Sequence, residues 1–267
     1  MQRTWNSPLG QALCIITGAS RGFGREAATQ ISRLVSPGSV LILVARSEDD
    51  LRTLQAELTE SKAGKAGLVV RYVAADLGLM EGVESVVKAS KEASSDNIEH
   101  LILINNAASL GDVSRFTREF TDMAEVNSYL SLNVSSSLCL TSSVLQAFPQ
   151  RPRLQRTVVN ISSLCALKPF PSWVLYCTGK AARDMMFKVL AEEEPTLRVL
   201  NYAPGPMDTH MQDEARVKTA DLNVRKSFTR MAANGLLLSC EESCAKLMKL
   251  LRENTYESGA HIDVYDV

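Results

Sequence analysis

The apolar residues of this chain fall into two alternating patterns. One is the short continuous run: Ala12–Thr17 (ALCIIT), Ser39–Ala45 (SVLILVA), Leu68–Ala74 (LVVRYVA), His100–Ile104 (HLILI), Arg156–Ile161 (RTVVNI) and Leu197–Asn201 (LRVLN). A run that is apolar without alternation predicts a strand buried on both faces. The other is the longer stretch with helical spacing: Glu26–Leu34, Glu48–Lys62, Leu79–Ala93, Val126–Phe148, Tyr176–Glu193 and Glu241–Arg252. In the second of these, Leu51, Leu54 and Leu58 form one stripe. Ala260–Val264 reads as a last strand.

Strand and helix thus alternate about six times, and parallel strands need crossovers, which are usually helices. The pattern predicts an α/β fold, a Rossmann-like doubly wound parallel sheet of about seven strands with helices on both faces. No linker, fixed-period repeat or low-complexity stretch divides the chain, so residues 1–267 read as a single domain. Segment 203–238 stands apart, with Pro204, Gly205, Pro206 and Gly235 among mixed polar residues. It follows a strand's carboxyl end, where open α/β sheets bind ligands. It reads either as a mobile substrate lid or as a plain connecting helix pair.

Composition narrows the classes. The 29 basic and 30 acidic residues leave a net charge of −1. That balance argues against a nucleic-acid binder, which needs a basic face. No apolar run reaches the ~18 residues of a membrane span. Met1–Gly10 lacks a signal peptide's apolar core, and the C-terminal Val264-Tyr265-Asp266-Val267 carries no lipidation signal. The six cysteines form no CxxC pair and no zinc-spaced cluster with histidine, so no metal site is expected. They read as buried free thiols in a reducing, cytoplasmic compartment.

Thr17-Gly18-Ala19-Ser20-Arg21-Gly22-Phe23-Gly24 follows the first strand and opens the first helix. Glycines there let the backbone turn sharply and approach a phosphate, which then faces free N–H groups at a helix N-terminus. The second strand ends Ala45-Arg46-Ser47, with no acid until Glu48. An acid at this place would suit the ribose hydroxyls of NAD, whereas Arg46 suits a 2′-phosphate, as does Arg21 in the loop. Both favour NADP(H). Asp76, after the third strand, reads either as a contact to the adenine or as an acid at the start of the next helix.

Tyr176 and Lys180 stand four apart and share a helix face, about 5–6 Å apart at Cβ. An ammonium beside a phenol favours the phenolate and lowers its pKa from ~10, which suits proton transfer to a carbonyl oxygen. Ser163, just past the fifth strand, is placed to polarise that carbonyl or to cap a turn. Asn106 ends the fourth strand. Asn133 lies in the long helix after it, where it binds either a backbone carbonyl or a water leading toward Lys180.

Together these residues, with Asn105-Asn106-Ala107 and Pro204-Gly205, resemble the short-chain dehydrogenase/reductase family over nearly the whole chain. The resemblance implies an NADP(H)-dependent oxidoreductase. Tyr176 would be its acid and base, Ser163 would orient the carbonyl, Lys180 would hold the nicotinamide ribose, and Asn133 would support a proton-relay water. Cofactor contacts fall on Gly18, Ser20, Arg21, Gly22, Phe23, Gly24, Arg46, Asp76, Leu77, Asn106, Lys180, Pro206, Met207 and Thr209. The family usually has glycine after Asn-Asn-Ala; here it is Ala108, which is tolerable unless φ is positive there. Asn160–Leu167, Leu200–Pro206 and Ser258–Asp266 resemble more narrowly the branch that reduces side-chain ketones of pterins. So do Leu110–Val113 and Leu140–Leu145. In that branch an acid near the C-terminus, here Asp263, anchors the pterin. Ser163, Leu164, Trp173, Tyr176, Gly205 and Met211 would complete the substrate pocket. Members commonly dimerise through the helices after strands four and five, which implies a homodimer. The rival readings are a broader diketone reductase and a non-catalytic NADP-binding protein. The latter is expected to have lost the tyrosine or the lysine, and both are present.

Overall fold

The computed structural model describes residues 9–267; for residues 1–8 the reading of the N-terminus lies outside it. The strands are β1 (Ala12–Thr17), β2 (Val40–Ala45), β3 (Val69–Ala74), β4 (His100–Asn105), β5 (Gln155–Ile161), β6 (Arg198–Ala203) and β7 (His261–Asp263). They form one parallel sheet in the order β3-β2-β1-β4-β5-β6-β7. The helices are α1 (Gly22–Ser32), α2 (Glu48–Glu60), the single turn α3 (Lys62–Lys65), α4 (Met80–Ala93), α5 (Met123–Leu130), α6 (Ser136–Ala147), α7 (Val174–Glu193), α8 (His210–Lys218), α9 (Leu222–Ala233) and α10 (Cys240–Glu253).

Alternate side chains of the central strands feed two separate cores. In β1, Cys14 and Ile16 pack with α1, α2 and α10, through residues such as Ile31, Leu54 and Leu247. Leu13 and Ile15 point the other way, toward Val86 of α4, Val144 of α6 and Phe187 of α7. Every residue of β1 is buried, which is why its run shows no polar alternation. Strand order reverses at β1, which pairs with β2 on one side and β4 on the other. The carboxyl ends of β1 and β4 therefore part around a crevice.

Element ends differ from the pattern where local chemistry intervenes. The first helix opens at Gly22, because the loop glycines themselves form its first turn. The stretch 126–148 is not one regular helix. α5 begins early, where the Asp122 carboxylate accepts from the Ala124 N–H (2.8 Å), and a π-helical turn at Ser131–Ser135 separates it from α6. In the 203–238 segment, α8 and α9 form a helix pair. The segment leaves and returns at one point, where Leu238 N–H donates to Pro206 O (2.9 Å) and Asp208 N–H to Leu238 O (3.0 Å).

Candidate active site

A cleft of about 1570 Å³ opens at the carboxyl ends of the strands, between the glycine loop and the α8–α9 pair. Single-ligand pockets run to roughly 1,000 Å³, so the cleft has room for two molecules side by side. Its walls bring together nearly every residue expected of the site. From the first half of the chain these are Gly18, Ser20, Arg21, Gly22, Phe23, Arg46, Asp76, Leu77 and Asn106. From the second half they are Ser163, Leu164, Trp173, Tyr176, Lys180, Gly205, Pro206, Met207, Thr209, Met211 and Asp263. Gly24 and Asn133 stand behind this surface.

The glycine loop is held open by sterics. Gly18 (φ +66°) and Gly22 (φ +55°) adopt left-handed conformations that strain other residues. A Cβ on Gly18 would meet Asn106 Nδ2 at 2.6 Å, and one on Gly24 would meet Gly18 O at 2.3 Å. Asn106 locks the loop to the end of β4: its Nδ2 donates to Thr17 O (2.8 Å) and Gly18 O (3.2 Å). Thr17 Oγ1 in turn accepts the N–H groups of Asn106 and Ala107, both at 2.9 Å. Ala108 lies outside the positive-φ residues, so its methyl sits on ordinary backbone. Asp76 Oδ1 accepts from Gly78 N–H (2.9 Å), shaping the turn into α4 while its side chain borders the cleft.

Ser163 and Tyr176 both line the cleft, and the Ser163 hydroxyl favours the phenolate of Tyr176. Ser163 Oγ also accepts from Cys165 N–H at 3.1 Å, which fixes its rotamer. Lys180 Nζ donates to Ile161 O (2.7 Å) and lies 5.5 Å from the centroid of the Tyr176 ring. The electrostatics differ from the simple expectation of a lowered phenol pKa. Burial pushes the Tyr176 phenol up, against the lowering effects of Ser163 and Arg183. Burial, with the Arg183 charge behind it, brings Lys180 down to about 7. Desolvation is the largest influence on both groups.

Two polar residues brace the site from behind. Asn133 sits at the centre of the π-helical turn. Its Oδ1 accepts from Ser109 N–H (2.8 Å) and its Nδ2 donates to Tyr129 O (2.9 Å), one turn back. That side-chain bond competes with the helix ladder, and π-turns are frequent at functional sites. Arg183 is fully buried. It donates to Asn160 Oδ1 (2.8 Å), to Ala107 O (3.1 Å) and to Asn105 O, tying α7 to the end of β4. All three acceptors are neutral, and burial brings the guanidinium down to about 10.

The far end of the cleft is aromatic. Trp173 stacks on Phe228 of α9 (5.1 Å, 6°) and meets Tyr176 edge-on (5.4 Å, 85°). Phe170 packs against both Trp173 and Phe228. Trp173 Nε1 donates to Thr219 Oγ1 (3.0 Å), which docks the α8–α9 connection onto this wall. Asp263 lies at the rim, its Oδ1 accepting from Tyr265 N–H at 3.1 Å.

A family model described as short chain dehydrogenase matches residues 12–220. The chain belongs to the short-chain dehydrogenase family. It is 53% identical to sepiapterin reductase of Meriones unguiculatus over 259 residues, covering 97% of this chain and 98% of that one. It is 52% identical to sepiapterin reductase of Rattus norvegicus over 260 residues, with the same coverage. Among solved structures it is similar to L-sorbose reductase from Gluconobacter frateurii, complexed with NADPH and L-sorbose. The TM-score is 0.78 at 27% identity, covering 97% of this chain and 96% of that one.

As a short-chain dehydrogenase the protein is an oxidoreductase that works with a nicotinamide dinucleotide. The cleft fits that group on its own geometry: a left-handed glycine turn, packed too closely at Gly18 and Gly24 for a Cβ, lines it beside a helix N-terminus. Sequence reasoning missed Thr17, Phe170, Arg183 and Phe228. Thr17 and Arg183 act through contacts 76–90 residues away in sequence, which no local pattern reports. The aromatic spacing of Phe170 and Trp173 was visible, but their meeting with Phe228 depends on the fold of the α8–α9 segment.

Proposed function

We propose that this short-chain dehydrogenase reduces ketones on the side chain of a pterin with NADPH. The reactions are sepiapterin to 7,8-dihydrobiopterin and 6-pyruvoyl-tetrahydropterin to tetrahydrobiopterin, the last step of tetrahydrobiopterin biosynthesis. The observation that carries the reading is Asp263. It shares one cleft with Ser163 and Tyr176, in a chain alike from end to end to the sepiapterin reductases. A carboxylate at the rim can accept two N–H bonds from the 2-amino-pyrimidine edge of a pterin. Trp173, Met211 and Leu164 supply the apolar surface for the ring.

Bound NADPH supplies the hydride. Arg21 and Arg46 border the part of the cleft suited to its 2′-phosphate, and Lys180 is placed for the nicotinamide ribose. Ser163 Oγ and the Tyr176 hydroxyl hold the carbonyl oxygen, and Tyr176 delivers the proton. A reduction needs that phenol protonated beforehand, and burial keeps it so at neutral pH. As the proton leaves, the phenolate forms near the buried Arg183 guanidinium, with the Lys180 amine beside the ring, and Asn133 supports the path by which the proton is replaced. The α8–α9 segment acts as the substrate lid, hinged where Met207 pairs with Leu238. The protein acts as a cytoplasmic homodimer. Leu138 of α6 and Met185 and Val189 of α7 expose 50%, 61% and 46% of their surface on the helices that would pair.

Exchanging Asp263 for Asn tests the substrate class. Turnover of sepiapterin should fall much further than turnover of a simple diketone, both followed by NADPH oxidation. Equal losses on the two substrates would remove Asp263 from pterin anchoring and favour a general diketone reductase.

A further inference from the structure

Asp184 is buried on α7, one turn beyond Lys180 and two beyond Tyr176, on the same helix face. Its carboxylate is held by groups from two strands. Oδ1 accepts from Asn160 Nδ2 of β5 (3.1 Å) and from the hydroxyl of Ser162, just past that strand. Oδ2 accepts from His261 Nδ1 of β7 (2.5 Å). A carboxylate only accepts, so the imidazole carries its proton on Nδ1. His261 Nε2 has no partner among the described residues. The ring is therefore tied at Nδ1, to Asp184 and, at 3.5 Å, to Ser162 Oγ.

Sheet register brings these groups together. Asn160, Asn201 and His261 are paired neighbours across β5, β6 and β7. They form a polar row beside the apolar core of Val158, Val199 and Phe187, and Asn160 Nδ2 also donates to Asn201 Oδ1 (2.9 Å). Buried polar groups destabilise unless bonded, and a bonded set holds its elements in one arrangement. β7 has need of such a tie. It is a half-buried strand of three residues at the edge of the sheet, next to β6. It carries Asp263 two residues after His261, and alternate residues of a strand share a face. Ile262, between them, packs on the opposite core.

We propose that Asp184 and His261 are positioning residues for pterin recognition, whose bond ties β7 to α7 and sets Asp263 at a fixed reach from Ser163 and Tyr176, an inference that rests on the reading of Asp263 as the pterin anchor. Asp184 meets all three groups at one remove. Its own helix carries Tyr176, Ser162 precedes Ser163, and His261 lies on the strand of Asp263. A pterin is a rigid ring system held at two ends, its 2-amino-pyrimidine edge at Asp263 and its side-chain ketone at Ser163 and Tyr176. The spacing between the ends decides whether both are satisfied at once. A simple diketone uses the ketone end alone and is indifferent to that spacing. Loss of the His261 bond thus loosens one end and spares the other. Its mark is a higher KM for the pterin at nearly constant kcat, as expected when binding shared by ground and transition states is lost.

Steady-state rates with sepiapterin and with a simple diketone, at saturating NADPH, test this in the full chain, with thermal unfolding to confirm that each variant folds. His261→Leu should raise the KM for sepiapterin about 10-fold or more, the worth of one hydrogen bond to a charged group, and leave diketone turnover near wild type. His261→Asn, whose Nδ2 stands where the ring has Nδ1, should restore the KM. In an Asp263→Asn background, His261→Leu should raise it no further. If the leucine variant does not fold, His261→Gln, with its amide nitrogen at the Nε2 position, takes its place. An unchanged KM, equal losses on both substrates, no rescue by asparagine, or losses that multiply in the double variant would overturn the positioning role, even while Asp263→Asn alone still separates pterin from diketone. Equal losses on the two substrates in Asp263→Asn would instead overturn the anchoring reading, and the positioning role with it.

Discussion

Tyr176 is enclosed by Trp173, Ser163 and the Lys180 stem, and its proton is held by burial more than released by charge. That is the condition of an acid waiting for a carbonyl, and it gives the residue-scale prediction. Tyr176→Phe should lower kcat at least ~10²-fold, the low end for acid catalysis, while NADPH titration by fluorescence stays near wild type. Turnover of sepiapterin within a few-fold of wild type would contradict the assignment. At this scale the sequence showed what local spacing can show. The i, i+4 relation of Tyr176 and Lys180 placed both on one helix face, and the glycines marked the loop. It did not show Arg183, because its partners are supplied by other elements. It also pointed to a lowered phenol pKa, since desolvation belongs to the folded surroundings and not to the pair.

Among the elements, the β1–α1 junction carries the tightest steric demand. Gly24 sits under the loop, and an added methyl would overlap the Gly18 carbonyl at 2.3 Å. Backbone cannot yield as a flexible side chain does, so the loop itself must shift. Gly24→Ala should therefore cost roughly 1–3 kcal/mol of overpacking, partly as lost NADPH affinity of about 5- to 100-fold. An NADPH titration beside a far-ultraviolet spectrum checks this; unchanged affinity would mean the loop is not a phosphate cradle. The long helix after β4 shows the limit of periodicity. Its apolar spacing is continuous through Asn133, so the pattern gave one helix, while a side-chain bond to the backbone opened it into a π-turn. The segment 203–238 was legible as an exception but not as a shape. Its docking depends on Trp173 and Val113, more than 30 residues upstream.

For the whole molecule, the doubly wound sheet followed from the strand–helix alternation, and the continuous apolar runs proved to be strands covered on both faces. The near-zero net charge does not show that Arg21, Arg46 and Asp263 gather on the walls of one cleft. Away from the cleft, His100 starts β4 with Nε2 on Thr157 Oγ1 (2.9 Å) and Nδ1 on Leu9 O (3.3 Å). Burial lowers its pKa from 6.5 to about 4. The unfolded chain then binds the extra proton first, so this residue's contribution is intact above pH 6.5 and is lost as pH falls toward 4. The loss is about 3 kcal/mol at 1.4 kcal/mol per pKa unit. Urea midpoints at pH 7 and pH 4.5 should show it, with a shallower acid dependence in His100→Gln; equal dependence would place the acid sensitivity elsewhere.

Initial rates of cofactor oxidation separate a pterin side-chain reductase that uses NADPH from a general diketone reductase, and the first assignment sets the outcome. The purified protein should oxidise NADPH with sepiapterin, forming 7,8-dihydrobiopterin, faster than with a simple diketone, and much faster than it oxidises NADH with the same pterin. No turnover of sepiapterin with either cofactor, or a rate with the diketone that exceeds the rate with the pterin, would contradict it.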